Sequence, residues 1–333
     1  MAFEKFHYKS LSQLTDTLAE QGYSLPSRQD TSVLASPITV HGKTVPNRIA
    51  YQPMEGCDGT PSGSPGELTI RRYRRFAEGG PGLVWFEAVA IAEEGRANPR
   101  QLWLTEQNKE DFRAIVRMIK ETCREKNGFE PVVIMQATHS GRYSKPHGKP
   151  EPIIAYNNPI FEKDTPLSPD HIITDEHLRE LEELMVRSAL LAQEVGFDGV
   201  DIKCCHRYLN CELLSAYNRP GDFGGSFENR TRFLMDCVRK VKTAVSPDFI
   251  ITSRFNAYDG FHYPYGFGVT PEGGLEPDMT EAGKIIGMLA AEGIDLVDVT
   301  MGNPYFNPHV NRPFDGGPYF PDEHPLKGVG RML

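Results

Sequence analysis

The sequence predicts an incomplete α/β barrel of the TIM (β/α)8 type, preceded by a helical extension. Three observations predict it: short apolar runs alternate with helical patterns, the longest connections follow the apolar runs, and one helix–glycine–strand junction occurs twice. Near-continuous apolar runs are typical of parallel strands that helices cover on both faces. Long loops after the strands are typical of the carboxyl end of a barrel.

Six strands are predicted, because six short apolar runs are separated by helical patterns. They are RIAYQP, GLVWFEAVAI, PVVIMQ, GVDIK, FIITSRF and LVDVT. Helices are predicted over 67–78, 109–126, 175–195, 226–245 and 279–292. The third is the clearest, with one apolar face and Thr174 as its N-cap. Gly196 and Gly293 follow two of the helices and suit the left-handed conformation that ends a helix.

The predicted units divide the chain into a helical extension over residues 1–33 and a barrel over residues 34–333. Six strands are two short of the eight that close a barrel, and an open sheet exposes two unpaired edges. We therefore expect a C-terminally truncated chain that lacks its last two βα units. A doubly wound sheet would show the same alternation of strands and helices. The lack of a GxGxxG motif after the first strand disfavours that alternative.

Composition narrows the class of protein. The chain has 39% hydrophobic and 24% charged residues, as an ordinary globular protein does. Its net charge of −9 disfavours a nucleic-acid partner, which needs clustered cations. No apolar run reaches the ~18 residues of a membrane span, and no signal peptide is evident, so we expect a cytoplasmic protein without a membrane partner. The 6 cysteines lack the spacing of a zinc or iron–sulfur site, so no metal is expected.

Candidate functional residues follow the predicted strands at the end where a barrel opens. In chain order they are Pro53, Met54, Glu55, Glu87, Ala88, Gln136, His139, Lys203, His206, Tyr208, Arg254 and Thr300. A barrel brings these strand ends to one mouth. The amide of Gln136 and the cations of Lys203 and Arg254 suit a flat, polar-edged ring that accumulates negative charge, as a reduced flavin does. A structural ion pair of Arg254 with Asp198 or Asp201 is the alternative.

Five segments carry a resemblance to a known family. They are NRIAYQPM, GGPGLVWFEAVAIAEEGRANP, VIMQATHSGR, GFDGVDIKCCHRYLNCELLSAYNRPGDFGGSFENRTRFL and DLVDVTMGNPYFNPHVNRP. Together they resemble the Old Yellow Enzyme family of FMN-dependent NADH:flavin oxidoreductases, in particular its branch with the bacterial enoate and 2,4-dienoyl-CoA reductases. The resemblance extends over residues 34–333 and implies that they form the FMN-binding barrel.

The resemblance implies a role for each candidate residue. Contacts with FMN are implied for Pro53, Met54, Glu55, Ala88, Gln136 and Arg254. Lys203 and His206 match the pair that holds a substrate oxygen over the flavin, and Tyr208 matches the proton donor. Lys203 stands where His is usual. Arg207 stands where Gly is common, and we expect it to bind a substrate anion or to narrow the mouth. Glu55 stands where Thr or Cys usually tunes the flavin.

The implied reaction passes a hydride from NAD(P)H through FMN to the β-carbon of an activated alkene in a small unsaturated molecule. Lys203 and His206 would stabilise the enolate oxygen, and Tyr208 would protonate the α-carbon. In the family, loops after the seventh and eighth strands hold the FMN phosphate. We therefore expect the 333-residue chain alone to bind FMN weakly. Longer relatives carry an iron–sulfur cluster beyond the barrel, and we expect none to be encoded in this chain.

Two other functions stay open at the level of the sequence. A strand-end lysine such as Lys203 also suits a Schiff-base lyase or aldolase. A chain without two of its βα units also suits an inactive remnant. Within the family itself, amine-oxidising members share much of this framework, so the residues leave the direction of the redox reaction open.

Overall fold

The computed structural model describes residues 7–272, 274–306 and 310. The helices are α1 Leu11–Glu20, α2 Glu67–Glu78, α3 Lys109–Asn127, α4 Pro159–Glu162, α5 Asp175–Glu194, α6 Leu209–Leu213, α7 Phe227–Ala244 and α8 Thr280–Ala291. The strands are β1 Ile38–Val40, β2 Lys43–Val45, β3 Ala50–Tyr51, β4 Leu83–Ala90, β5 Val132–Thr138, β6 Gly199–Ile202, β7 Ile250–Tyr258 and β8 Val297–Met301. The six predicted strands and five predicted helices are confirmed.

Strands β3 to β8 form one sheet in which the spatial order equals the sequence order. Every neighbouring pair is parallel. A doubly wound sheet reverses its strand order at a switch point, whereas a barrel adds each strand beside the previous one. The order therefore confirms the barrel-type fold. The described residues provide six of the eight strands of a closed barrel.

Strands β4 to β7 are buried almost throughout, and their successive side chains point to opposite faces of the sheet. The edge strands β3 and β8 are more exposed. Val84 and Phe86 of β4 belong to the main hydrophobic core, together with helix residues such as Leu181 and Val238. Trp85, between them, belongs instead to a second cluster on the inner face. Full burial of one such apolar side chain is worth about 1.5–3 kcal/mol, so the helices are held to the sheet mainly by this outer layer.

A hairpin that was not predicted closes the amino-terminal end of the interior. Strands β1 and β2 pair antiparallel, and His41 and Gly42 between them have φ angles of 48° and 74°. Val40 and Val45 pack against residues at the starts of the main strands. These are Leu83, Trp85, Val132, Ile134 and Ile250. The hairpin therefore buries the apolar floor beneath the mouth.

The helix–glycine–strand junctions have the predicted geometry. Gly196 after α5 has a φ of 99°, and Gly293 after α8 has a φ of 85°. The N-cap of α5 is Thr174, whose hydroxyl accepts a hydrogen bond from the N–H of His177 at 3.1 Å. Helix α1 lies in the predicted N-terminal extension and has no buried residue. The barrel region predicted to reach residue 333 extends past the described residues.

None of the helices in the described part of the chain combines the length and apolar character of a membrane span.

Gly199 begins β6 at a point where the neighbouring strand leaves no room for a side chain. A Cβ there would lie 2.5 Å from the carbonyl oxygen and 2.6 Å from the Cβ of Ile250. We expect Gly199→Ala to lower the free energy of unfolding by about 1–3 kcal/mol, because the clash falls on a strand backbone. Urea denaturation followed by circular dichroism measures the change.

The matched control is Gly287→Ala in α8, where a Cβ meets nothing within 4 Å. This substitution should raise the free energy of unfolding by roughly 0.5–1 kcal/mol, because alanine favours a helix. Equal effects of the two substitutions would contradict the packing of β6 against β7.

Candidate active site

The strand-end residues lie on the inner face of the sheet at its carboxyl end. In the sheet register Ala88 pairs with Gln136, and Gln136 pairs with Asp201. Lys203 lies two residues beyond Asp201, and the backbone N–H of Arg254 donates to Asp201 Oδ1 at 2.6 Å. Because side chains alternate along a strand with a period of two, Gln136, Asp201 and Lys203 share one face. The structure thus gathers the predicted residues in one place.

Two contacts join opposite sides of the mouth. Arg254 Nη1 of β7 donates to the carbonyl oxygen of Pro53 in the loop after β3, at 3.1 Å. The hydroxyl of Tyr208, in the loop after β6, donates to Glu55 Oε2 of the same β3 loop at 3.4 Å. Strand β3 neighbours neither β6 nor β7 in the sheet. The sheet therefore curves enough to enclose one mouth.

A bulge in β4 decides which residue of that strand faces the interior. The register runs from Phe86↔Met135 to Ala88↔Gln136, so Glu87 is an extra residue. The carboxylate of Glu87 accepts hydrogen bonds from Arg72 Nη2 and from the N–H of Gly56, both at 2.8 Å. Burial raises the pKa of Glu87 to about 7. The bulge turns Ala88 toward the mouth and anchors the β3 loop.

Asp201 is a fully buried carboxylate beneath the mouth. Its Oδ2 accepts from Gln136 Nε2 at 2.6 Å and from Trp85 Nε1 at 2.8 Å. Burial raises the pKa of Asp201 to about 6, and these donors together with the N–H of Arg254 oppose the rise. Sequence reasoning did not assign Asp201 to the site. An acid inside the apolar run GVDIK was the available signal.

The guanidinium of Arg254 has a different partner from the two acids considered in the sequence. Its Nε lies 3.1 Å from Asp298 Oδ2 of β8. Asp198 instead pairs with Lys120 of α3 at 2.9 Å. Asp201 accepts a hydrogen bond from the backbone N–H of Arg254, and no contact described joins it to the guanidinium. The cation of Arg254 thus stays at the mouth, between β8 and the β3 loop.

Lys203 is buried at the end of β6, with its ammonium 3.7 Å from the centre of the Tyr208 ring. A cation over an aromatic face is attracted by the negative face of the ring's quadrupole. Burial lowers the pKa of Lys203, while the nearby carboxylates of Glu55 and Asp201 oppose that shift. The ammonium is therefore held in a fixed position beside the predicted proton donor.

Tyr208 is 2% exposed, and its hydroxyl lies 3.2 Å from the hydroxyl of Tyr305 in addition to the Glu55 contact. Burial, and next the charge of Glu55, raise the pKa of Tyr208 well above its ordinary value. The rings of Tyr208 and Tyr305 are stacked at 6.5 Å, and Tyr143 packs on Tyr305 at 4.6 Å. Tyr143 and Tyr305 were not predicted individually as site residues.

Arg207 does not face the mouth, contrary to the expectation that it binds a substrate anion. Its side chain is 0% exposed and forms ion pairs with Asp259 at 3.0 Å and Glu212 at 3.7 Å. It also donates to the carbonyl oxygen of Tyr265 and to the hydroxyl of Tyr156. This burial leaves Arg207 no surface for a substrate, so the structure replaces the expected contact with an anchor for the loop.

The other predicted residues surround this centre. Pro53 is buried, whereas Met54 is 70% exposed at the rim. The carbonyl oxygen of Ala88 accepts from Gln101 Nε2 at 3.3 Å. His206 is half-buried, and its φ of 61° places it on a sharp turn of the loop. His139 Nδ1 accepts from the N–H of Gly141 at 3.1 Å, so this histidine caps a backbone group.

All 6 cysteines are free thiols, and Cys57 alone among them is exposed. A search of the described residues finds no group of three or more His, Cys, Asp or Glu side chains placed to hold a metal ion.

The donor set of the mouth fits FMN. Gln136 offers an amide, Lys203 an ammonium and Arg254 a guanidinium, which suit a ring with carbonyl edges and developing negative charge. The guanidinium of Arg254 lies between the Asp298 carboxylate and the carbonyl oxygen of Pro53, so its charge is held at the mouth. This fixed cation would face the negative charge that develops on a bound ring.

Fold and mouth together define an α/β-barrel enzyme with a site for a flat anionic ring. The model of the NADH:flavin oxidoreductase / NADH oxidase family matches residues 33–303, and the chain belongs to that family. It is therefore an FMN-dependent oxidoreductase of the Old Yellow Enzyme type that uses NADH or NADPH. Family membership places the chemistry at a flavin rather than at a Schiff base of Lys203.

Similar proteins include several bacterial NADPH dehydrogenases. The chain is 32% identical over 279 residues to that of Geobacillus sp. (strain WCH70), an alignment that covers 81% of this chain and 73% of the relative. It is 28% identical over 277 residues to that of Bacillus subtilis (strain 168), again covering 81% and 73%.

Similar solved structures support the fold. A 2-naphthoyl-CoA reductase complex has a TM-score of 0.69 at 24% identity, and the chain spans 41% of that protein's length with 82% of its own. The Old Yellow Enzyme of Pichia sp. AKU4542 has a TM-score of 0.65 at 23% identity, covering 81% of this chain and 70% of that one. Morphinone reductase has a TM-score of 0.66 at 21% identity, covering 90% and 76%.

The burial of Arg207 predicts a large effect on stability. Arg207→Met removes the cation that two buried carboxylates face, so the free energy of unfolding should fall by about 3–5 kcal/mol. The control is Arg239→Met on α7, whose side chain is 53% exposed and pairs with Glu292. That substitution should cost about 1 kcal/mol or less. Similar losses in both variants, measured by urea denaturation, would show that Arg207 is not a buried anchor.

Proposed function

We propose that the chain catalyses the reduction of an activated carbon–carbon double bond in a small molecule, driven by NAD(P)H through FMN. The observation that carries the proposal is the meeting of Lys203, Tyr208 and Arg254 with the β3 loop at one mouth. One cation faces the position of a flavin-like ring, and a second cation stands beside a tyrosine. This arrangement suits hydride addition followed by proton donation.

FMN, when bound, takes a hydride from NAD(P)H and passes it to the substrate. We assign its contacts to Pro53, Met54, Glu55, Ala88, Gln136 and Arg254. Asp201 takes a hydrogen bond from Gln136 Nε2, which fixes the amide and leaves its oxygen for a ring N–H. The guanidinium of Arg254 stabilises negative charge on the ring. Both side chains are thus oriented before a ligand arrives.

Lys203 and His206 are the residues proposed to hold the oxygen that activates the alkene. As the β-carbon receives a hydride, negative charge develops on that oxygen, and a fixed ammonium stabilises it. A lysine is a compact point charge, whereas the usual histidine is a weaker and flatter donor. Lysine in place of the usual histidine favours substrates whose activating group is anionic, such as an unsaturated carboxylate.

Tyr208 is the proposed donor of the proton to the α-carbon. Its raised pKa keeps the hydroxyl protonated near neutral pH, so the proton leaves only toward a strongly basic carbon. The ammonium of Lys203 over its ring stabilises the tyrosinate that forms. Arg207 has no part in substrate binding in this proposal, because its side chain is fully buried.

The proposed FMN contact of Arg254 predicts a loss of affinity. Arg254→Met should raise the Kd for FMN at least about tenfold, which is 1.4 kcal/mol, because a cation facing the ring is lost. Quenching of FMN fluorescence by the purified chain measures it, with Arg239→Met as the control. Equal affinities would contradict the assignment. Complete failure of the parent chain to bind FMN would favour the inactive remnant instead.

The donor role of Tyr208 predicts a selective defect in the FMN-loaded protein. Tyr208→Phe should slow oxidation of the reduced enzyme by 2-cyclohexenone by about 10²–10⁴-fold, because the proton donor is removed. Reduction by NAD(P)H should keep its rate, since it needs no proton from Tyr208. Stopped-flow absorbance of the flavin measures the rates of both half-reactions.

The control for this experiment is Tyr217→Phe, a tyrosine of the same loop whose hydroxyl contacts Glu281 of α8 instead. It should leave both half-reactions unchanged. Full-rate oxidation of the reduced Tyr208→Phe enzyme would overturn the proposed role.

A further inference from the structure

We propose that Glu55 acts through Tyr208, as the residue that holds its hydroxyl and returns a proton to it after each turnover. This inference rests on the proton-donor role proposed above for Tyr208. The contact that carries it is the hydrogen bond from the Tyr208 hydroxyl to Glu55 Oε2, at 3.4 Å. Glu55 would thus connect a buried proton donor with the solvent at the rim of the mouth.

A buried proton donor needs a route by which it regains its proton. Tyr208 is 2% exposed, so the tyrosinate left after donation has almost no direct access to water. Its hydroxyl contacts the carboxyl group of Glu55 and the hydroxyl of Tyr305. A carboxyl group is a far stronger acid than a phenol, so of these two groups Glu55 is the stronger proton donor to a tyrosinate.

Glu55 is placed to exchange protons with water. Its side chain is half-buried rather than enclosed, and the neighbouring Cys57 is exposed. In the proposed step the O–H bond of the Glu55 carboxyl group breaks and an O–H bond forms on the tyrosinate oxygen. The resulting carboxylate then takes a proton from hydronium in the solvent, which is the one proton that each reduction consumes. No electrons are transferred, and no further reagent is required.

The surroundings of Glu55 favour a carboxyl group that holds its proton more firmly than usual. Burial raises the pKa of Glu55, while the ammonium of Lys203 opposes the rise. The other oxygen of Glu55, Oε1, accepts hydrogen bonds from the Cys57 thiol at 3.5 Å and from Asn98 Nδ2 at 3.3 Å. Tyr305, Tyr143 and Cys205 are the further titratable groups near Tyr208 in this cluster. The raised pKa favours the protonated carboxyl group that the proposed step needs.

The first test uses the chain without flavin. Carbon-13 NMR of protein labelled at tyrosine Cζ reports the pKa of Tyr208, whose signal is assigned by its loss in Tyr208→Phe. In Glu55→Gln the pKa of Tyr208 should fall, because the neighbouring carboxylate that disfavours a tyrosinate is gone. Glu55→Asp should lie between the two. A Tyr208 pKa equal in Glu55→Gln and in the parent would overturn the contact and the relay with it.

The second test separates the first turnover from later ones in the FMN-loaded protein. In Glu55→Gln the ratio of steady-state turnover to the rate of the first oxidation of reduced enzyme by 2-cyclohexenone should fall at least about tenfold, because Tyr208 carries its proton into the first turnover but does not regain it afterwards. Taking the ratio within one variant removes any effect of the substitution on the flavin itself. Glu55→Asp should recover part of the lost ratio. Glu130→Gln, an exposed acid paired with Arg124, is the control.

The outcomes distinguish the relay from the function on which it rests. If Tyr208→Phe slows the first turnover while Glu55→Gln leaves the ratio of steady-state turnover to first-turnover rate unchanged, the relay fails and the reductase proposal stands. If Tyr208→Phe leaves the first turnover unchanged, the donor role fails, and the relay fails with it.

Discussion

The buried carboxylate of Asp201 is the interaction on which the site most depends. A charge away from water is costly unless hydrogen bonds surround it. The carboxylate of Asp201 accepts hydrogen bonds from Trp85 of β4, from Gln136 of β5 and from the backbone N–H of Arg254 in β7. One side chain therefore ties three strands together at the level where the mouth begins. Asp201 orients the amide of Gln136 and fixes the backbone position from which the Arg254 side chain extends.

The loop after β6 depends on a second buried network. His206 and Arg207 both have positive φ angles, which cost free energy for residues other than glycine. The burial of Arg207 against Asp259 and Glu212 holds this turn in place. Tyr208 follows directly and is thereby directed at Glu55 across the mouth. The buried cation of Arg207 thus helps to position Tyr208, the proposed proton donor.

Much of the fold could be predicted because short apolar runs that alternate with helical patterns are typical of buried parallel strands. Helix α2 and strand β8 were each expected within a residue or two of their observed bounds. The hairpin β1–β2 was missed because its strands have three residues each, too few for a pattern to stand out. The His41–Gly42 pair between two β-branched runs was the signal that could have identified it.

The sequence by itself determined the order of strands and helices and the residues that follow each strand, because periodicity and loop length are local properties. It also determined the family, because five long segments resemble one pattern. Only the tertiary structure decided which of those residues share the mouth. The bulge at Glu87 turns Ala88 inward, and Arg207 lies in the core rather than at the rim. Both outcomes depend on partners far along the chain, and such contacts leave no trace in local spacing.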